Sequence, residues 1–285
     1  MASSSIARTL EAAAGTSSRI SECPTCGGSA RLAFRLSDRG VYACTDPGCA
    51  LRFAAPQPPD TTLARYYQQC YYGEGTPVYE NSPEPYLGQL LLALDRRIGG
   101  LPGKRVLDFG CGIGTLLRLL AAAGAGAVDG VESDAQARAS VRDLLGIDVA
   151  GDVSELKQRA VGPGYDLITM IDVIEHVRDP SQSLVELRGL LRPGGWLLVS
   201  TPDVGSAKAR LLGQRWDNYQ NPTHLFYFSG RSLGRLIRSA GFAEVTVWRP
   251  LLSYPAHSTA RRLLQMILQR LGLDGALHIL ARVHA

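Results

Sequence analysis

Short apolar runs alternate with runs of helical periodicity between about residues 103 and 250. The segment Val106 to Phe109 predicts a strand, and the helical run Thr115 to Ala123 follows it closely. Tyr165 to Ile171 is mainly apolar, which is typical of a parallel strand that is buried on both faces. This alternation predicts an α/β fold built on a doubly wound parallel sheet, whose ligands bind beyond the carboxyl ends of the strands.

A glycine-rich turn follows the first of these strands. The turn Gly110-Cys111-Gly112-Ile113-Gly114 comes two residues after Asp108. Glycine lets the backbone turn sharply and approach a ligand closely. A dinucleotide turn has the wider spacing G-x-G-x-x-G and places a pyrophosphate on a helix N-terminus. Here the gaps are single residues and a carboxylate precedes the turn, which favours a ligand that carries a cationic amino-acid group.

Acidic residues also follow the second and third predicted strands. Glu132 comes after the apolar run Ala127 to Val131, about twenty residues beyond the glycines. A carboxylate there can accept hydrogen bonds from both ribose hydroxyls of a nucleoside. Asp152 follows the third strand. Together with Asp108, these residues predict a nucleoside site at one edge of the sheet.

This series of acids, together with the later segments Asp172 to Val177 and Arg192 to Thr201, resembles the motifs of class I methyltransferases that use S-adenosylmethionine (SAM). The resemblance covers about Gly103 to Val247 and implies a Rossmann-like sheet of seven strands. It also implies that Asp152 accepts a hydrogen bond from the adenine amine, while the neighbouring amide bonds the ring. The cofactor-binding residues that it implies are Asp108, Gly110, Cys111, Gly112, Gly114, Glu132, Asp152, Val153 and Asp172.

Three residues are the catalytic candidates: Asp172, His176 and His224. Methyl transfer is an in-line displacement that needs a base only if the acceptor must lose a proton. His224 lies in a polar and aromatic insertion, about residues 203–230, which is typical of a substrate loop. The stretch Pro222 to Phe228 resembles one in methyltransferases that act on sugars, quinone precursors and other small hydroxylated molecules.

The same region suggests a second metal site. Asp172, Glu175, His176 and His224 have the spacing of a cluster that binds a divalent cation in the small-RNA 2′-O-methyltransferases. The resemblance implies Mg²⁺ or Zn²⁺, which would polarise an acceptor hydroxyl. The alternative is that Glu175 caps local backbone and His176 packs near the SAM site without a metal.

Four of the six cysteines form two pairs near the start of the chain: Cys23 and Cys26, then Cys44 and Cys49. The segments Ala30 to Leu36 and Val41 to Ala43 predict a hairpin between the pairs. Two cysteine knuckles joined by a hairpin predict a zinc ribbon over residues 22–55, with four thiolates around a structural Zn²⁺. The alternative is four reduced cysteines without a ligand. The predicted role of the ribbon is structural, either to cover one side of the catalytic domain or to shape the substrate entrance.

The segments around these two units carry weaker signals. Residues 1–21, rich in Ala and Ser, predict a disordered leader, and residues 56–102 predict a linker with a helical lid that includes Tyr71 and Tyr72. The SAM-binding domain is expected at residues 103–250. Residues 251–285 predict an amphipathic helical tail, which either touches a membrane or packs on the sheet or on a second copy of the chain.

Composition narrows the class of protein. The 30 Lys and Arg against 26 Asp and Glu are scattered, which does not favour a nucleic-acid partner. No apolar stretch has the length of a membrane span, and the chain is expected to be cytoplasmic. We therefore expect a SAM-dependent methyltransferase that acts on a small molecule such as a sugar, a glycan precursor or a natural product, with O-methylation favoured. The alternatives are a ribosomal RNA base methyltransferase and a non-catalytic zinc-binding adaptor; the oligomeric state stays open.

Overall fold

The computed structural model describes residues 21–67, 84–159, 162–252, 267–271, 273 and 275–284. In chain order the strands are β1 (Ala30–Arg35), β2 (Gly40–Cys44), β3 (Arg52–Ala55), β4 (Arg105–Phe109), β5 (Ala127–Val131), β6 (Tyr165–Ile171), β7 (Leu191–Pro202), β8 (Phe226–Tyr227), β9 (Glu244–Trp248) and β10 (Ala276–Arg282). The α-helices are α1 (Asp60–Tyr66), α2 (Glu84–Ile98), α3 (Thr115–Ala122), α4 (Ala135–Leu145), α5 (Val153–Gln158), α6 (Pro180–Leu190), α7 (Ala207–Leu212), α8 (Asp217–Gln220) and α9 (Gly230–Ser239).

A six-stranded sheet with the order β5-β4-β6-β7-β10-β9 forms the centre of the described structure. The strands from β5 to β7 are parallel, as the alternation of strands and helices predicts. The expected count of seven strands is too high by one among the described residues. The third predicted strand is reduced to Ala150, which makes a single parallel bridge with Val131. This bridge lies between the end of α4, whose C-cap is Gly146, and Asp152, which caps α5.

The last strand of the sheet corrects the predicted helical tail. Residues 276–282 form β10, which pairs antiparallel with both β7 and β9. Its central residues, from Leu277 to Ala281, are buried, because the strand lies between two neighbours and has both faces covered. The catalytic sheet therefore extends beyond the expected boundary at residue 250. Most of the predicted amphipathic stretch, Thr259 to Leu271, lies outside the described residues, as do the leader over residues 1–20, Tyr71 and Tyr72.

The predicted hairpin near the start of the chain is present as β1 and β2. The strand β3 extends it, and β8, from the insertion after β7, pairs with β3 to complete a second, four-stranded sheet. We call residues 22–55 the cysteine ribbon. Its buried residues Leu51 and Phe53 belong to the same apolar core as Phe226 and Phe228 of the insertion. The cysteine ribbon and the catalytic domain are therefore packed together through a shared sheet and a shared core.

Helices pack against the central sheet. The helix α2 contributes a stripe of buried leucines to the core beside β4, among them Leu87, Leu90 and Leu94. The helix α4 begins where Asp134 accepts hydrogen bonds from the amides of Gln136 and Ala137, as expected of an N-cap aspartate. Among the described helices, none combines the length and the apolar character needed to cross a bilayer.

Candidate active site

The glycine turn connects β4 to α3 and excludes side chains at two positions. Gly110 has a φ of +79°, and a Cβ at this position would lie 2.3 Å from Cγ2 of Val173. Gly114, immediately before α3, has a φ of +85°, and its Cβ would lie 3.0 Å from atoms of Val141 and Leu145. Both positions therefore require glycine on conformational and steric grounds. The backbone of the turn reaches the sheet edge with no Cβ at Gly110 or Gly114.

Glu132 connects the glycine turn to the end of β5. One of its carboxylate oxygens accepts a hydrogen bond from the amide of Gly112 at 2.9 Å. The other accepts from the amide of Asp134 at the same distance. Cys111, between the two outer glycines, is buried in a small apolar cluster with Leu117 and Val149. The predicted ribose acceptor and the predicted SAM turn are thus held as one unit.

Asp108, near the end of β4, is a buried carboxyl group. The Thr169 hydroxyl donates a hydrogen bond of 2.7 Å to its Oδ1. Burial raises the pKa of Asp108 to about 7, and the nearby charge of Glu132 adds to this effect. A cationic group bound beside this buried carboxyl group would lower its pKa and stabilise its charged form.

Asp152 lies at the start of α5, directly after the bridge at Ala150. It caps the helix, because its Oδ1 accepts a hydrogen bond of 2.8 Å from the amide of Glu155. Its side chain is exposed, whereas the neighbouring Val153 is buried. The three predicted nucleoside acids therefore all lie at the carboxyl edge of the sheet, near the end of β4, after β5 and after the bridge at Ala150.

Asp172 follows β6 at the same edge and has an uncommon backbone conformation. Its φ is +53°, in the left-handed region that few residues other than glycine, asparagine and aspartate adopt. Its amide donates to the carbonyl of Ser200, which holds the residue against the end of β7. Burial raises the pKa of Asp172 to about 6. Strained conformations of this kind concentrate at functional sites.

Glu175, His176 and His224 meet beyond Asp172. One potential ligand atom from each lies within 4.8 Å of the others. His176 Nε2 is 3.9 Å from Oε1 of Glu175, and the two imidazole rings contact edge to face with 4.7 Å between their centres. Asp172, the fourth residue of the predicted cation cluster, is not part of this group at that spacing. The structure therefore brings together three of the four predicted residues.

The hydrogen bonds of His176 define its tautomer. Its Nδ1 lies 3.0 Å from the carbonyl oxygen of Thr223 and 3.0 Å from the hydroxyl of Tyr67. The carbonyl can only accept, whereas the hydroxyl can also accept, so both contacts are satisfied when Nδ1 carries the proton. Burial lowers the pKa of His176 to about 4, so the ring is neutral at neutral pH. The lone pair is therefore on Nε2, which faces Glu175. A ring held in this way suits a metal ligand or a proton acceptor.

Glu175 is a buried carboxyl group with one satisfied oxygen. The hydroxyl of Thr201 donates to Oε2 at 2.8 Å. Oε1 is buried and has no hydrogen-bond partner among the described residues. Burial raises the pKa of Glu175, and the charge of Asp172 raises it further. Burial likewise lowers the pKa of His224, with smaller contributions from His176 and Arg39. The cluster therefore combines two neutral imidazoles with a carboxyl group that a cation would stabilise.

The four cysteines of the ribbon converge in a second cluster. Their Sγ atoms all lie within 4.8 Å of one another. The distance is 3.9 Å between Cys23 and Cys49 and 3.6 Å between Cys26 and Cys44. Four sulfurs at about 2.3 Å from a tetrahedral Zn²⁺ are about 3.8 Å apart, so the spacing fits this ion. Arg235 of α9 pairs with Asp46 of the second knuckle at 2.7 Å, which ties the cluster to the catalytic domain.

Several residues at the site carry little or no signal in the sequence. Tyr67 is one of six clustered tyrosines, and its hydroxyl lies 3.0 Å from Nδ1 of His176. Thr201 ends an ordinary apolar strand, yet it binds Glu175. Thr223 acts through its backbone carbonyl, and any residue type offers that group. Of these signals, only the tyrosine cluster is visible in the sequence. From it we predicted Tyr71 and Tyr72 as lid residues and did not single out Tyr67.

Comparisons with known proteins agree with this geometry. Residues 84–247 match the family described as a methyltransferase domain. The ubiquinone biosynthesis O-methyltransferase of Burkholderia pseudomallei is 32% identical over 159 residues, which are 52% of this chain and 68% of the relative. Phosphoethanolamine N-methyltransferase 2 of Haemonchus contortus, solved with SAM, has a TM-score of 0.56 and 18% identity over 82% of this chain and 61% of that one. Magnesium protoporphyrin IX methyltransferase of Synechocystis has a TM-score of 0.51 and 18% identity over 79% of this chain and 100% of that one.

The fold and the carboxyl-edge acids define the class as a SAM-dependent methyltransferase with a Rossmann-like sheet. The chain belongs to the methyltransferase domain family, whose matched region spans more than half of its residues. The two solved structures share its fold. Because their sequences are distant, they carry no information on the acceptor.

Proposed function

We propose that this enzyme transfers the methyl group of SAM to a hydroxyl oxygen of a small molecule, such as a sugar, a glycan precursor or a natural product. The observation that carries the proposal is the convergence of Glu175, His176 and His224 at the sheet edge that also holds the glycine turn. The relative from Burkholderia pseudomallei, named as a ubiquinone biosynthesis O-methyltransferase, supports an acceptor of this kind.

On the donor side, the proposed contacts follow the acids along the sheet edge. Asp108 binds the cationic amino-acid group of SAM, because no cationic group among the described residues offsets the burial of its carboxyl group. Glu132 binds the ribose, while Asp152 and Val153 bind the adenine. Gly110, Cys111, Gly112 and Gly114 supply backbone that the cofactor approaches closely, and Asp172 completes the set.

On the acceptor side, the neutral imidazoles of His176 and His224 are placed to accept a proton or to hold a hydroxyl. The carbonyl of Thr223 keeps the Nδ1 proton of His176 in place and leaves Nε2 free to act. Asp172 is the third candidate, since its raised pKa of about 6 gives it more affinity for a proton than an ordinary aspartate.

The same cluster fits a divalent cation. The buried, unpartnered Oε1 of Glu175 and the free Nε2 of His176 are donors of the kind that such ions take. His224 would complete the group, with Asp172 nearby. A cation bound there would supply charge that polarises an acceptor hydroxyl and lowers its pKa. At the other cluster we propose a structural Zn²⁺ held by Cys23, Cys26, Cys44 and Cys49, in agreement with the spacing of their sulfurs.

Labelled methyl transfer tests the acceptor class directly. The protein is incubated with SAM that carries a CD₃ group and with a cell extract separated into small-molecule and RNA fractions. We expect label on oxygen in the small-molecule fraction, located by mass spectrometry and NMR. Label confined to RNA would replace the proposal with an RNA methyltransferase. Calorimetry that detects no SAM binding would favour a non-catalytic adaptor.

A matched variant separates the acceptor side from the donor side. His224→Asn removes a group of the proposed acceptor site, whereas His284→Asn changes a histidine near the end of the chain. We expect His224→Asn to abolish transfer while SAM still binds, and His284→Asn to change neither. Elemental analysis after mild chelation should find one tightly held zinc and one exchangeable divalent ion. Full transfer activity with zinc alone would remove the second metal site from the proposal.

A further inference from the structure

The tip of the cysteine ribbon reaches into the insertion that carries His224. Arg39 lies in the turn between β1 and β2, far along the chain from the catalytic candidates. Its side chain is only 2% exposed. One of its guanidinium nitrogens donates to the carbonyl of Tyr219 at 2.9 Å and to that of Asn221 at 2.7 Å. Its other terminal nitrogen pairs with the neighbouring Asp38 at 2.7 Å. The buried side chain of Arg39 therefore links the hairpin of the ribbon to backbone groups of the insertion.

The carbonyls that Arg39 holds belong to the turn that builds the histidine cluster. Asn221 accepts hydrogen bonds through its side chain from the amide and the hydroxyl of Thr223. Its carbonyl also accepts from the amide of His224 at 3.2 Å. The carbonyl of Thr223 in turn accepts from Nδ1 of His176. One continuous set of hydrogen bonds therefore runs from Arg39 to both of these histidines.

The ribbon holds the other side of the same turn as well. Ala54 donates its amide to the carbonyl of Leu225, the residue after His224, and β3 pairs with β8 just beyond. The amides of Leu225 and Phe226 donate to the carbonyl of Glu175. The segment that starts at His224 is thus fixed between a ribbon strand and the backbone of Glu175.

We propose that the cysteine ribbon is a structural part of the acceptor site and that Arg39 is its positioning residue, which sets the orientation of His176 and His224 through the turn at Asn221. This inference rests on the proposed function, since it assigns the acceptor site to these two histidines. Arg39 does not touch the acceptor. The SAM edge, formed by Asp108, Glu132 and the glycine turn, shares none of these hydrogen bonds and is independent of Arg39.

Two substitutions test this role. Arg39→Met removes the charge and the guanidinium nitrogen that donates both hydrogen bonds, while Arg39→Lys keeps the charge but lacks the planar guanidinium group. Arg35→Met, on the same hairpin but exposed, is the matched control. The ring nitrogens of the five histidines are observed by ¹⁵N NMR in the protein without SAM, and SAM affinity is measured separately by calorimetry.

We expect the wild-type spectrum to show His176 as the tautomer protonated at Nδ1. In Arg39→Met this signature is lost and the His224 signals shift, while those of His278, buried elsewhere beside Tyr86, stay unchanged. Arg39→Lys should give a smaller change, and Arg35→Met none. SAM affinity should stay within about twofold of wild type in all variants.

Unchanged His176 and His224 signals in Arg39→Met would overturn the proposal. If that variant does not fold, the same comparison is made in Arg39→Lys, where unchanged signals would overturn it equally. Because the ring signals are read without SAM, they report on Arg39 whether or not the protein binds the cofactor. A wild-type protein that fails to bind SAM would instead remove the proposed function.

Discussion

Gly110→Ala should destabilise the protein far more than an alanine at a glycine of similar backbone conformation. At Gly110 the φ of +79° costs an alanine about 1–2 kcal/mol. The added Cβ would also lie 2.3 Å from Cγ2 of Val173, and forcing such a contact costs about a further 1–3 kcal/mol. The free energy of unfolding should therefore fall by about 2–5 kcal/mol.

Gly146→Ala is the matched control. Gly146 has a φ of +68°, yet a Cβ there would meet nothing within 4 Å, so only the conformational cost of about 1–2 kcal/mol applies. Urea unfolding measures both variants under the same conditions. The difference between them, about 1–3 kcal/mol, isolates the contact with Val173.

A double variant tests the assigned cause. In a Val173→Ala background the two Cγ methyl groups are absent, so the cost of Gly110→Ala should fall toward that of Gly146→Ala. SAM affinity, measured by calorimetry, should drop in Gly110→Ala and stay unchanged in Gly146→Ala. Equal destabilisation by the two alanines, or a cost at Gly110 that is undiminished without the methyl groups of Val173, would refute the reasoning.

Four further outcomes follow from the described contacts. SAM affinity should rise as the pH increases through about 7, because the raised pKa of Asp108 keeps its carboxyl group neutral at lower pH. Asp108→Asn should weaken SAM binding and remove this pH dependence. Calorimetry from about pH 5.5 to about pH 8.5 measures both effects. The same raised pKa means that Asp108 stabilises the ligand-free fold at a pH below about 4, which is the pKa of an aspartate in the unfolded chain. This stabilisation is lost as the pH rises from about 4 to about 7. Thr201→Val leaves Oε2 of Glu175 without its donor and should lower the free energy of unfolding by about 1–3 kcal/mol, whereas Thr45→Val on the exposed ribbon surface should cost less. Removal of the proposed structural Zn²⁺ by a strong chelator should lower the melting temperature and disorder the ribbon, and a melting curve that does not respond would contradict this ion.

The predicted nucleoside site at the carboxyl edge of the sheet shows what local sequence pattern can predict. Asp108, Glu132 and the glycine turn were recognisable because each lies at the end of an apolar strand or directly after it, and the carboxyl ends of parallel strands meet at one edge. Their relative geometry is set by the register of β4 and β5, which a doubly wound sheet determines. The expected hairpin of the ribbon was confirmed for a similar reason, since its signals lie within one short segment of the chain.

The strand β10 shows where local pattern fails. The stretch from Ala276 to Arg282 has no helical breaker and follows an amphipathic run, so a helix was the natural expectation. Its conformation is decided by the free edges of β7 and β9, which lie far away along the chain. The third predicted strand likewise departs from the expectation, because it makes only a single bridge between Ala150 and Val131.

The sequence by itself determined the class of fold, the methyl donor and the two sets of candidate ligands. These depend on residue type and on spacing within short segments, and both are visible in the chain. Only the tertiary structure decided which side chains meet. Glu175, His176 and His224 form a cluster without Asp172, β10 joins β7 to β9, and Arg39 of the ribbon holds the turn beside the histidines. Each of these depends on contacts between segments that are distant in the chain, where burial and unmet hydrogen bonds, and not local preference, select the arrangement.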